Sequence, residues 1–241
     1  MIVLRSLLFN LAFYVNIVVL MILGLPALLV GRHGAFFMAR LWARTSIWLL
    51  EKICGLRVEF RGLENIPKGG YILAAKHQSF LETFSLVTKT PDFAIILKQQ
   101  LKYIPFFGLY ITVAGVIAID RSKGRNALAQ IVAQAGPVLR AGRQVYIFPE
   151  GTRRAPGAEP AYKYGVAVLY EQTGAPCLPV AVNTGVFWGR DSFVKRPGVA
   201  VIEFLPVIPG GMEREAFFER LQNDIETASN RLLQEARSQR A

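Results

Sequence analysis

Tyr71-Ile72-Leu73-Ala74-Ala75-Lys76-His77-Gln78-Ser79-Phe80-Leu81-Glu82 is the stretch on which the fold turns. An apolar run of strand length breaks into a polar turn, and Phe80-Leu81 then open a second apolar pattern of helical character. In open α/β sheets, ligands bind just beyond the carboxyl ends of the strands. His77 stands at that address.

The same alternation runs outward in both directions. Further apolar runs at 56–60, 93–97, 116–120, 144–148, 178–182 and 199–204 read as strands, several short and continuous enough to be buried on both faces. Helical patterns lie near 80–87, 123–139 and 162–172. A charged amphipathic helix over 213–239 carries Phe217, Leu221, Ile225, Ala228 and Leu232 on one face. This predicts an α/β domain over 55–241, with a central mixed, largely parallel sheet flanked by helices.

Residues 1–54 differ. Ser6 to Val30 contains no charged residue. As a helix that stretch would reach about 37 Å, against a bilayer core of about 30 Å. Gly24-Leu25-Pro26 should end or kink it, and Gly31-Arg32-His33-Gly34 should form a turn. A second helix from 35 to 54 places Arg40, Arg44 and Glu51 on one stripe, with Trp42 and Trp48 suited to a membrane interface. A hydrophobic two-helix membrane anchor follows, either one spanning helix with an interfacial one or a monotopic hairpin. The uncharged run is long for a signal peptide, and no small-x-small cleavage site follows it.

The chain has 241 residues and a formal net charge of +11. Basic residues following an apolar anchor suit an anionic membrane surface. No basic tail or nucleic-acid-binding motif accompanies the charge, so nucleic acid is not the expected partner. Cys54 and Cys177 read as buried thiols without metal-ligand spacing.

His33, between glycines beside the anchor, is a poor site for catalysis. His77 and Glu82, five apart, meet only if His77 precedes the helix and folds back over its first turn. Ser79-Phe80-Leu81-Glu82 fits a capping box, which offers a plainer account in which Glu82 caps the helix and His77 is a hydrogen-bonded turn residue. The alternative is a dyad, in which the carboxylate orients the imidazole and the imidazole takes a proton from an attacking hydroxyl. No Gly-x-Ser-x-Gly elbow supplies a protein nucleophile, so the substrate would bring its own hydroxyl. Arg121, Arg153 and Arg154 follow two other apolar runs, where guanidinium groups could bind phosphate. Gly151 lets the backbone approach closely, and its N–H and that of Thr152 could face an anion.

Four ordered blocks over 71–179 resemble the glycerolipid acyltransferase family that includes 1-acylglycerol-3-phosphate O-acyltransferase. His77 to Glu82 resembles its His-x4-Asp block. Gly115-Val116-Ile117-Ala118-Ile119-Asp120-Arg121 resembles the second, preceded by Lys98-Gln99-Gln100-Leu101. Phe148-Pro149-Glu150-Gly151-Thr152-Arg153 resembles the third, and Leu178-Pro179-Val180-Ala181-Val182 the fourth. The resemblance implies that His77 is the general base and Glu82 its partner. Arg121, Glu150, Gly151, Thr152, Arg153 and Lys98 would bind the acceptor, and Pro179 would serve acyl-chain or scaffold packing. The implied reaction carries a fatty acyl group from acyl-CoA or acyl carrier protein to lysophosphatidic acid, without a cofactor, at the cytoplasmic face of a membrane. Glu82 departs from the usual Asp, which loosens the acceptor assignment. Another lysophospholipid, a lyso-aminolipid, or non-catalytic lipid binding stay open.

Overall fold

Each of the seven apolar runs becomes a strand of one sheet in the computed structural model, which describes residues 1–119 and 125–238. The strands are β1 (Leu56–Arg61), β2 (Ile72–Ala75), β3 (Phe93–Lys98), β4 (Ile117–Ile119), β5 (Gln144–Ile147), β6 (Cys177–Val182) and β7 (Gly198–Phe204). Their spatial order is β1-β7-β6-β2-β5-β3-β4. β2 lies at the centre, parallel to β5 and β6, while β3 runs parallel to β5 and β4. β7 is antiparallel to β6 and carries the parallel β1 on its outer side. The sheet is therefore mixed and largely parallel, as the alternation predicts. The carboxyl ends of β2, β3, β4, β5 and β6 share one edge.

Helices cover both faces. They are α1 (Ile2–Leu23), α2 (Arg32–Cys54), α3 (Leu81–Ser85), α4 (Phe107–Val113), α5 (Arg125–Arg140), α6 (Gly165–Thr173) and α7 (Arg214–Ser238). Successive β2 side chains point to opposite sides. Ile72 and Ala74 enter a core roofed by α5, α6 and α7, while Leu73 and Ala75 enter one closed by Ala35 and Phe36 of α2. The predicted stripe on α7 is buried against the sheet: Phe217, Leu221, Ile225 and Leu232 show no exposure. Burying such a side chain contributes about 1.5–3 kcal/mol. Cys54 and Cys177 are free and buried, and burial pushes the Cys177 thiol well up.

The hydrophobic module is an antiparallel hairpin. Asn16 on α1 donates to Thr45 Oγ1 at 2.8 Å and Ser46 Oγ at 3.2 Å on α2, and the Cys54 thiol reaches the Arg5 carbonyl at 3.6 Å. A 3-10 segment, Leu25–Val30, joins the helices. The expected turn at Gly31–Gly34 is shorter than the glycines suggest. Gly31, at φ +66°, makes the turn, and α2 starts at Arg32. Gly34 sits inside the helix because a Cβ there would lie 1.7 Å from the Ala27 carbonyl oxygen of the connecting segment.

α1 has the length and apolarity to cross a membrane. One stripe, Ser6, Phe9 and Phe13, packs on the α/β domain beside Leu81, Phe84, Phe187 and Trp188. Leu4, Leu7, Leu8, Leu11, Val15 and Val18 are bare, more exposed apolar surface than water tolerates on an isolated domain.

Candidate active site

His77 lies two residues beyond β2, on the edge where five strands end, and α3 begins four residues later. The chain turns back between them. His77 Nδ1 comes to 2.8 Å from Glu82 Oε1. The dyad and the capping box prove to be one arrangement. Glu82 Oε1 also accepts the Ser79 N–H at 2.7 Å and the Gln78 N–H at 2.9 Å, while Ser79 Oγ accepts the Leu81 N–H at 3.1 Å. Capping fixes the carboxylate, and the fixed carboxylate orients the imidazole.

Glu82 has no side-chain exposure and His77 has 17%. An ionised carboxylate buried at that depth needs its oxygens filled with donors. A carboxylate oxygen only accepts, so the contact suits the tautomer with its hydrogen on Nδ1, and in that neutral imidazole Nε2 keeps the lone pair. The Phe148 ring stacks on the imidazole at 4.0 Å between centroids and 22° between planes. That contact limits tipping of the ring.

The remaining predicted residues divide in two. Glu150, past β5, is fully buried and does not face solvent. Its Oε1 lies 3.0 Å from Lys76 Nζ and 3.7 Å from Arg154 Nε, and its Oε2 lies 3.5 Å from the His77 N–H. Lys76 Nζ also reaches Glu226 on α7 at 2.6 Å, and the Tyr162 hydroxyl donates to the same Glu226 oxygen at 2.9 Å. Glu150 thus braces the dyad loop from beneath. The Arg154 N–H donates to the His77 carbonyl at 2.8 Å, which ties the two loops together.

Gly151 adopts φ +67°, and a Cβ there would lie 3.2 Å from the end of the Lys163 side chain. Its N–H donates to the Phe148 carbonyl at 2.9 Å. The turn therefore uses the N–H that was expected to face an anion. Thr152 is exposed on the loop. Arg153 pairs with Asp191 at 3.0 Å, and Arg190 binds both Asp191 and the Arg153 carbonyl. Lys98 ends β3 exposed, two strands from β2 across β5. Arg121 lies outside the described residues. Pro179 is buried mid-strand in β6, between β2 and β7, a scaffold position. His33 is exposed in the first turn of α2. Among the described residues no group of three or more His, Cys, Asp or Glu is placed to hold a metal ion.

Three features escaped the sequence reading. Thr184, two residues past β6, donates from Oγ1 to Glu82 Oε2 at 2.6 Å. Lys76 and Glu226 complete the buried network. Thr184 obeys the strand-end rule that picked out His77, since β6 adjoins β2, but its residue type carries no distinctive signal.

A model of the Acyltransferase family matches residues 57–183. The chain is 39% identical over 172 residues to a 1-acyl-sn-glycerol-3-phosphate acyltransferase of Pseudomonas aeruginosa, covering 71% of this chain and 67% of that one. It is 32% identical over 170 residues to the enzyme of that name from Saccharomyces cerevisiae, covering 69% and 56%. The chain spans about two thirds or less of the length of these relatives. The crystal structure of the 1-acyl-sn-glycerophosphate acyltransferase PlsC from Thermotoga maritima superposes with a TM-score of 0.80 over 96% of this chain and 98% of that one, at 23% identity, which shows a shared fold. The chain belongs to the Acyltransferase family.

Proposed function

We propose that this protein transfers a fatty acyl group from acyl-CoA or acyl carrier protein to the free hydroxyl of lysophosphatidic acid, forming phosphatidic acid. The observation that carries the reading is the buried Glu82 carboxylate 2.8 Å from His77 Nδ1, which leaves Nε2 as the base. The acceptor oxygen attacks the thioester carbonyl carbon while Nε2 takes its proton. Glu82 stabilises the imidazolium so formed. Collapse of the tetrahedral intermediate breaks the C–S bond, and the imidazolium protonates the departing thiolate. No protein nucleophile and no cofactor enter the scheme.

Arg153, Arg121, Lys98 and the Thr152 loop provide the cationic and polar groups for the acceptor phosphate. Glu150 and Gly151 shape that loop. Residues 1–54 act as the membrane anchor and 55–241 as the catalytic domain. Because α1 packs one stripe on the domain and bares the rest, we read the anchor as a monotopic hairpin laid into the cytoplasmic face, beside an anionic lipid surface. The names of the relatives support the acceptor. The direct check is purified protein in detergent, offered labelled acyl-CoA or acyl carrier protein with a panel of lysophospholipids. Phosphatidic acid should be the principal product. Product from another lyso-acceptor, with none from lysophosphatidic acid, would overturn the substrate.

A further inference from the structure

We propose that Thr184 is the third member of the catalytic constellation, a positioning residue that holds the plane of the Glu82 carboxylate and through it the aim of His77 Nε2. The inference rests on the acyl-transfer reading of His77. Three donors crowd one oxygen of Glu82: the imidazole Nδ1–H and the N–H groups of Gln78 and Ser79. Bonds to one oxygen leave the carboxylate able to swing about them. The Thr184 hydroxyl meets the other oxygen at 2.6 Å, with both residues fully buried, and so fixes the second point that defines the plane.

Thr184 is itself held. Its carbonyl accepts the N–H groups of Phe187 and Trp188 at 3.1 and 3.0 Å, and the neighbouring Gly185 N–H donates to Gln78 Oε1 at 3.1 Å. A Cβ on Gly185 would lie 2.8 Å from the Gln78 Cβ, so the loops after β2 and β6 are locked in close approach. Trp188 in turn packs edge-on against Phe80, at the start of the dyad helix. A threonine needing only to satisfy a buried hydroxyl has a cheaper route in this protein. Thr45 and Thr173 each donate to the backbone carbonyl four residues back, at 2.9 and 2.7 Å. Thr184 instead spends its one donor on the dyad carboxylate, across 102 residues of sequence.

The test compares Thr184→Val and Thr184→Ser with wild type, using lysophosphatidic acid and acyl-CoA in detergent, with thermal melts to confirm folding. Valine keeps the shape and removes the donor; serine keeps the donor. Thr184→Val should lower kcat about 10- to 100-fold, the range for a lost hydrogen bond to a charged group, with KM for both substrates within about twofold because Thr184 is fully buried and acts through Glu82. Thr184→Ser should restore kcat to within about threefold of wild type. If Thr184→Val fails to fold, Thr184→Cys replaces it, because a thiol donates weakly, and kcat must then fall below that of Thr184→Ser. A folded Thr184→Val with wild-type kcat, or a Thr184→Ser as slow as the variant lacking the donor, overturns the inference while leaving acyl transfer standing. Wild-type protein inactive on every lyso-acceptor overturns the acyl-transfer reading, and this inference with it.

Discussion

Replacing Lys76 with Met removes the cation shared by the buried Glu150 and the partly buried Glu226. Lys76 is 2% exposed and stands 3.0 Å from Glu150 and 2.6 Å from Glu226, whose side chains are 0% and 15% exposed. Once Lys76 is gone, Glu150 keeps, among the described residues, Arg154 Nε at 3.7 Å and the His77 N–H at 3.5 Å. Breaking a buried pair from one side costs about 3–5 kcal/mol, because the surviving charge stays desolvated. For a domain of this size that is a fall in Tm of about 6–20 °C. Removing the stranded charge as well, in Lys76→Met/Glu150→Gln, should recover part of the loss, since the penalty belongs to the orphan and not to the missing bond. The assay is thermal or denaturant unfolding in one mild detergent at fixed pH. A single variant melting within about 2 °C of wild type, or a double variant no more stable than the single, would refute the argument that the network is a charge-balanced brace.

Other predictions follow from the same geometry. Glu82→Gln puts an amide where one carboxylate oxygen accepts two backbone N–H groups and the imidazole; turnover should drop about 10³- to 10⁴-fold, as when a dyad loses its tautomer control, measured as initial rates. Lys195 is buried against Phe9 and Trp188, with its ammonium on Asn10 and the Phe193 carbonyl, and desolvation lowers its pKa from 10.5 to about 8. Below pH 8 the folded and unfolded states are both protonated and the desolvation penalty is felt in full. Between about 8 and 10.5 the folded state has released a proton that the unfolded state still holds. Lys195 should therefore make stability rise with pH across that window, by about 3 kcal/mol. Wild type minus Lys195→Met, from denaturant melts at pH 7 and pH 10, isolates the effect; a flat difference would contradict it.

The strands were legible because buried parallel strands are written as unbroken apolar runs, and the largely parallel character of the sheet followed from strand-helix alternation. The reversal of β7 was not legible: residues 183–197 join β6 to β7, and nothing in that connection's sequence fixes whether the next strand returns antiparallel or crosses over. α4 was missed because Phe107–Val113 is short and almost wholly apolar, so no polar face marks a helical period. His77 and Glu82 were visible as a pair, but their geometry was posed as cap or dyad, when one oxygen serves both. Glu150 was picked out by its motif, but its depth beneath the dyad loop was not legible, because sequence shows a motif and not its burial. Thr184, Lys76 and Glu226 act only through partners on other elements, and periodicity carries no trace of that. Of the cationic set, Arg153 and Lys98 stand on the predicted edge, and Arg121 lies outside the described residues.

The central claim is that the Nε2 of His77 is the base for acyl transfer to a lysophospholipid. Single-turnover transfer from labelled acyl-CoA to lysophosphatidic acid, with wild type and a folded His77→Ala at equal concentration, addresses it most directly. Wild type should form phosphatidic acid, and the variant should be slower by about 1,000-fold or more. Wild-type rates in His77→Ala would contradict it.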